Sequence, residues 1–244
     1  MSDHGPQRLY LFPLSYTDVP LPTGGTMSMV NGCYLIVTGS GQHILIDSGW
    51  PPEQPIPAGM PPRQQEHSLL SHLATIGLTP GGITTVICSH FDIDHVGTHD
   101  LFPHAEFIVQ RKQLEVANNG HPRFASGNAH WGNPALRYRV VEGDTVLMLG
   151  IHLIETSGHA PGHQSVLVEL PQAGPVLLAI DAVMMERQFT TDRRAWSMDD
   201  NEEQLRASTQ KLLDLVERHG VRLVVFGHDG AQWQQLTTAP AYYG

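Results

Sequence analysis

Between positions 84 and 95 an unbroken apolar run, Thr84 to Cys88, gives way to SHFDIDH, and no other feature limits the fold of this chain so strongly. Continuous β-branched and apolar residues read as a strand buried on both faces, which implies a sheet covered by other structure. Immediately beyond it, His90, Asp92, Asp94 and His95 set four metal-ligating side-chain types within six residues. His90 and Asp92 are two apart and Asp94 and His95 are adjacent, so neither a regular strand nor a regular helix points all four the same way. A tight loop at the carboxyl end of a strand does, and the two pairs suit two different metals.

The theme recurs with single residues. His159 in SGHAPGH, Asp181 in VLLAID and His228 in VVFGHDG each arrive shortly after an apolar strand candidate. Taken alone each is a turn or capping residue; with the cluster they make seven nitrogen or oxygen ligands. Hard oxygen with imidazole suits Zn²⁺, Fe or Mn²⁺, and the lack of thiolates argues against a structural zinc site. Cys33 and Cys88 sit inside apolar runs, where a buried thiol is the ordinary reading. Asp47 in LIDSG and His163 in GHAPGH are placed to hold ligands by hydrogen bonds, with a purely structural role as the alternative.

The remaining pattern is sheet interleaved with helix, an α/β fold, and the 244 residues are expected to form one domain, 1–244. Strands are expected at Leu9 to Phe12, Cys33 to Thr38, His43 to Asp47, Phe107 to Val109, Arg139 to Val141, Val146 to Leu149, His152 to Glu155, Ser165 to Leu170, Val176 to Ile180 and Arg222 to Phe226. Helices are expected from the Leu69, Leu70, Leu73 and Ile76 stripe, over Gln110 to Asn118, and over Asn201 to His219, which Gly220 stops. Pro13 to Met27 reads as a loop covering functional surface, and Gly120 to Leu136 as an irregular, lid-like segment. A proline-rich stretch spans Trp50 to Pro62.

The net charge is −10 with no Lys/Arg cluster, which argues against nucleic acid as a partner. The amino terminus lacks an apolar signal core and no apolar run spans a bilayer, so no membrane partner and cytoplasmic residence are expected.

Jointly, NGCYLIVTGSGQHILIDSGW, ICSHFDIDHVG, FIVQRKQLE, SGHAPGHQSVLVEL, GPVLLAIDA and VVFGHDGAQW resemble the metallo-β-lactamase superfamily, and within it the quorum-quenching N-acyl-homoserine lactonases. The resemblance covers almost the whole chain and implies an αβ/βα sandwich of the metallo-β-lactamase fold. It implies His90, Asp92 and His159 about one metal, Asp94, His95 and His228 about the other, and Asp181 as the bridge. Two divalent ions are implied, zinc first, with iron or manganese as alternatives. Asp92 departs from the family, which has histidine there; it is read as a ligand, with a group holding a ligand or a solvent-facing residue beside a single metal as the alternatives. Met184 stands where the lactonases carry a tyrosine, and methionine donates no hydrogen bond.

The activity implied is ring opening of a small-molecule lactone, foremost an N-acyl-homoserine lactone, by attack of a hydroxide between the metals, with Asp94 as the catalytic proton shuttle. Hydrolysis of another small lactone, ester, thioester or phosphoester on the same site is the alternative, and a diiron redox protein ranks below it. Phe124, Trp131 and Met184, with Met185 and Trp233, are candidates to line an acyl groove or to belong to the core. His67, His72, His99, His104, His121, His130, His152 and His219 are read as surface or packing residues.

Overall fold

The computed structural model describes residues 4–21, 24–52, 61–64 and 67–244. Six strands lie side by side in chain order: β1 (Pro6–Pro20), β2 (Thr26–Thr38), β3 (His43–Ile46), β4 (Thr85–Ile87), β5 (Glu106–Gln110) and β6 (Arg137–Val141). The first three form an antiparallel meander, and β3 to β6 run parallel. A second sheet holds β7 (Thr145–Met148), β8 (Ile151–Glu155), β9 (Gln164–Leu170), β10 (Gly174–Ile180) and β11 (Leu223–Phe226) in the order β11-β10-β9-β8-β7. Only β10 and β11 pair parallel there. The helices are α1 (Leu69–Thr75), α2 (Ile93–Val96), α3 (Arg111–Asn118), α4 (Asn128–Trp131), α5 (Glu202–His219) and α6 (Gly230–Trp233).

Strand alternation builds the layers. Leu9, Leu11, Ile44, Ile46, Ile87 and Ile108 face Leu153, Val166, Val168 and Leu178 across the space between the sheets. Their chain neighbours Tyr10, Leu45, Val86 and Phe107 point the other way, onto Leu69 and Leu73 of α1 and onto Phe124 and Trp131. Leu167 and Leu177 likewise meet Leu212 and Leu215 of α5 on the outer face of the second sheet. Apolar side chains on both faces of the sheets give the αβ/βα sandwich, each fully buried one contributing roughly 1.5–3 kcal/mol relative to exposure. Helix α5 begins where the Asn201 side chain accepts from the Gln204 amide and ends at Gly220, whose φ of 59° is the left-handed conformation that glycine adopts without penalty.

Three expectations are corrected. Pro13 to Met27 is not a covering loop: β1 continues through Pro20 and β2 starts at Thr26, the two paired as far as Pro20 and Thr26 with one register shift between Pro13 and Ser15. β1 lies at the edge of its sheet, where prolines such as Pro6, Pro13 and Pro20 are tolerated. Gly120 to Leu136 is less irregular than expected, since its 3₁₀ turn Pro122–Gly127 and α4 are anchored by buried Phe124 and Trp131. On α1, His72 is buried and Leu70 exposed, because the His72 ring stacks on Phe12 and its Nε2 lies 2.9 Å from the Pro13 carbonyl. Most of the proline-rich stretch, 53–60, lies outside the described residues. Among the described residues no helix is long and apolar enough to cross a membrane.

Candidate metal centre

The carboxyl ends of β3, β4, β10 and β11 converge, and each is followed by a polar residue of the site. Asp47 follows β3, His90 follows β4, Asp181 follows β10 and His228 follows β11; the turn between β8 and β9 brings His159 and His163. Asp94 and His95 lie on the four-residue helix α2, which starts just after Asp92. The loop-plus-helix turn thus does what a regular element does not, and turns the pairs onto one centre.

Two triads result, His90–His159–Asp181 and Asp94–His95–His228, and within each the candidate ligand atoms lie within 4.8 Å of one another. Asp181 Oδ2 is the hub, 3.0 Å from His228 Nε2, 3.3 Å from His159 Nε2, 3.6 Å from His95 Nε2 and 4.0 Å from His90 Nε2. All four rings and Asp181 are buried, while Asp94 keeps 21% of its side chain exposed.

The second nitrogen of each ring is anchored. His95 Nδ1 lies 2.8 Å from Asp47 Oδ2, His159 Nδ1 2.9 Å from Asp199 Oδ1 and His228 Nδ1 2.7 Å from the Val30 carbonyl. Ser89 Oγ donates to Asp47 Oδ2 at 2.6 Å and so is free to accept from His90 Nδ1 at 2.9 Å. Acceptors on Nδ1 hold a proton there, so that displacing the proton of Nε2 would leave its lone pair pointing inward, the tautomer a metal requires. His90 Nε2, His95 Nε2 and Asp181 Oδ1 are buried with no hydrogen-bond partner, a costly state for polar atoms that a cation relieves. The donor set therefore fits divalent ions.

Charge tells the same story. Burial works against protonated His159, yet Asp181, Asp199 and Asp92 outweigh it and hold its pKa up at about 9. Burial is likewise outweighed at His95 by Asp181, Asp94 and Asp47, which hold it well above the usual imidazole range. Burial opposes ionised Asp181, but His228, His95 and His159 keep it well below the carboxylate range. The pocket calls for positive charge, and divalent ions supply it by displacing protons.

The surroundings are built to hold Asp181. Ile180, which precedes it, has φ 52°, a conformation that β-branched residues rarely adopt, and this strain aims the carboxylate. His163 Nε2 accepts from the Asp181 amide at 3.3 Å, and its Nδ1 meets Thr156 Oγ1 at 2.9 Å. Burial, then the neighbouring His90 and His159, push the His163 pKa well down, which keeps that nitrogen an acceptor. Asp47 also has φ 60° and receives the Ser89 amide at 2.8 Å as well as the His95 ring.

Asp92 stands apart. Its carboxylate is gripped by Arg123, with Nε 2.7 Å from Oδ1 and Nη2 2.5 Å from Oδ2, while Oδ2 also lies 3.3 Å from His90 Nε2 and 3.4 Å from His159 Nε2. Burial opposes its charge, but His90, His159 and Arg123 hold it well below the carboxylate range.

The groove candidates are packing residues. Phe124 and Met184 are fully buried and Trp131 is 5% exposed. Trp131 stacks on Phe91 at 5.1 Å and donates Nε1 to the Phe124 carbonyl, so both brace the loop that carries His90 and Asp92. Met184 serves through its backbone, whose carbonyl accepts from the His228 amide at 2.9 Å. Met185 and Trp233 are buried as well. Arg123, Asp199 and Ser89 are site residues that the sequence reading passed over; only Ser89, next to His90, carries a local signal.

Two facing sheets flanked by helices, with paired imidazole and carboxylate triads between the strand ends, define a metal-dependent hydrolase class, and residues 30–228 match the model of the metallo-β-lactamase superfamily. The chain belongs to that superfamily. It is 30% identical over 253 residues to an N-acyl homoserine lactonase of a Bacillus species, covering 99% of this chain and 94% of that protein. It is 31% identical over 230 residues to the N-acyl homoserine lactonase AttM of Azorhizobium caulinodans, covering 86% of each. An N-acyl homoserine lactone hydrolase, solved with the product N-hexanoyl-L-homoserine at its catalytic metal centre, superposes with a TM-score of 0.84 at 27% identity, covering 98% of this chain and all of that one.

Proposed function

We propose that this chain hydrolyses the ring ester of a lactone, with N-acyl homoserine lactones as the favoured substrates. The observation that carries the reading is the set of four Nε2 atoms turned towards Asp181, those of His90 and His95 buried without a hydrogen-bond partner, in a chain similar over its whole length to lactonases. We assign it two divalent ions, zinc first and iron or manganese as alternatives, and a cytoplasmic site of action.

Divalent ions held there would lower the pKa of bound water towards neutrality and polarise a carbonyl. His90, His159, His95 and His228 would hold the ions through Nε2, and Asp181 reaches all four rings. Asp94, the most open carboxylate of the set, would pass a proton to the departing ring oxygen, giving a hydroxy acid. Asp47, Asp199, Ser89 and His163 hydrogen-bond to the candidate ligands and hold their geometry. Met184 is buried and offers no donor for a substrate carbonyl. This favours keeping other small esters as the second reading.

The test is acidification. Protein loaded with Zn²⁺, Mn²⁺ or Fe²⁺ is expected to acidify a weakly buffered solution of N-hexanoyl homoserine lactone and to yield a product heavier by one water. Silence with all three metals, in samples shown by elemental analysis to hold them, overturns the reading. A parallel panel of esters, thioesters and phosphoesters separates it from the second one.

A further inference from the structure

The two triads do not stand in the same company. Arg123 Nη2 lies 2.9 Å from His159 Nε2, the atom that His159 would offer to an ion, and the same nitrogen lies 2.5 Å from Asp92 Oδ2. The guanidinium is fixed on three sides: Nε reaches Asp92 Oδ1 at 2.7 Å and Nη1 donates to the Met198 carbonyl at 2.7 Å. Its turn, Pro122–Gly127, is anchored by fully buried Phe124, and the Arg123 side chain is itself only 17% exposed. At the other triad, the side-chain ion pairs of Asp94 are with His95 and His228 alone, and no arginine or lysine of the described residues pairs with it.

A planar guanidinium clasped by a carboxylate is a strong, directional contact, and its positive charge repels a second cation at the same place. Asp92 and Arg123 together are neutral, so the carboxylate adds no net attraction for an ion at the triad it overhangs.

We propose that Arg123 is a built-in cation at the His90–His159–Asp181 position, which makes the two ion positions unequal. The Asp94–His95–His228 position fills first, and the other fills only as the guanidinium leaves His159. The inference rests on reading the centre as a divalent metal site and is independent of the substrate.

The experiment is a stepwise Zn²⁺ titration of the chelator-stripped full chain against a chromophoric competitor, with elemental analysis after desalting. Wild type is expected to retain one ion per chain and to bind the second at least about 10-fold more weakly, the scale on which groups that hold metal ligands act. Arg123→Gln, which removes the charge, is expected to narrow that gap. His159→Ala is expected to keep the tight ion and His228→Ala to lose it. Two ions bound by wild type with equal affinity overturn the proposal, as does an unchanged gap in folded Arg123→Gln. If that variant does not fold, the wild-type ratio together with the two histidine variants decides. Unequal binding without lactone hydrolysis sustains this inference and counts against the lactone reading alone.

Discussion

Asp199 Oδ1 meets His159 Nδ1 at 2.9 Å, and both side chains are fully buried. The other carboxylate oxygen accepts from the Trp196 amide at 2.7 Å, so Asp199 ties the segment before α5 to a ring of the candidate centre. Removing such a partner frees the ring to rotate and lowers its basicity. Asp199→Ala is therefore expected to weaken divalent-ion binding at the His159 triad by about 10–100-fold, with Asp199→Asn in between. Chelator competition reads this directly, and undiminished affinity in Asp199→Ala would remove its assigned role.

Asp47 carries a heavier load, since the Ser89 amide, the Ser89 hydroxyl and the His95 ring all converge on its carboxylate. Breaking a buried charged network by deleting one partner costs about 3–5 kcal/mol, and Asp47→Ala is expected to fall in that range in chemical denaturation. Its φ of 60° provides an internal control. Asp47→Gly loses the same hydrogen bonds without the left-handed penalty, and should be more stable than Asp47→Ala by about 1–2 kcal/mol. A glycine variant as stable as wild type would show that the network does not stabilise the fold.

How much of this was legible follows from where each signal sits. The candidate ligands at the ends of β4, β10 and β11 stand out in the sequence because a continuous apolar run ends and a residue of metal-ligating type begins within a few positions. Helix α5 was readable because its cap, stripe and terminal glycine are all local. Asp199 was not, because SMDDNEE reads as the acidic start of a helix and its partner lies 40 positions away. Arg123 was hidden for the same reason, 31 positions from Asp92. The long hairpin was misread because Pro and Gly signal turns, and only its place at the sheet edge makes those prolines compatible with a strand. Phe124 and Trp131 show the converse: aromatic content marks an apolar environment without saying whether it is a groove or the packing under a ligand loop.

Gly227 makes room for the hub carboxylate. A Cβ built there would lie 2.6 Å from Asp181 Oδ1 and 2.6 Å from the Ile180 carbonyl oxygen, closer than real side chains approach. Gly227→Ala is expected to displace Asp181 by a fraction of an ångström or more, with a loss of about 100-fold in kcat/KM towards a lactone, the scale of a misplaced reacting group. Circular dichroism confirms that the variant is folded, and metal content should fall in parallel. Unchanged turnover would show that the Asp181 position is not critical.

His99, outside the candidate ligand set, gives the chain a pH-dependent stability. It is fully buried, with Nδ1 2.7 Å from Ser48 Oγ, Nε2 without a partner and its ring 5.1 Å from that of Phe107. Burial, chiefly, pushes its pKa from 6.5 down to about 3. The folded pKa is thus below the unfolded one, so the unfolded chain takes up a proton that the folded chain refuses. The contribution is complete above about pH 6.5 and is lost as the pH falls towards about 3, at up to about 1.4 kcal/mol per pH unit. Metal-free wild type is expected to lose stability to urea more steeply between pH 6.5 and pH 5 than His99→Gln, by roughly that slope. His163, also pushed down by burial, contributes to both proteins and cancels in the difference. Parallel curves for the two would mean that the His99 ring accepts a proton inside the folded chain.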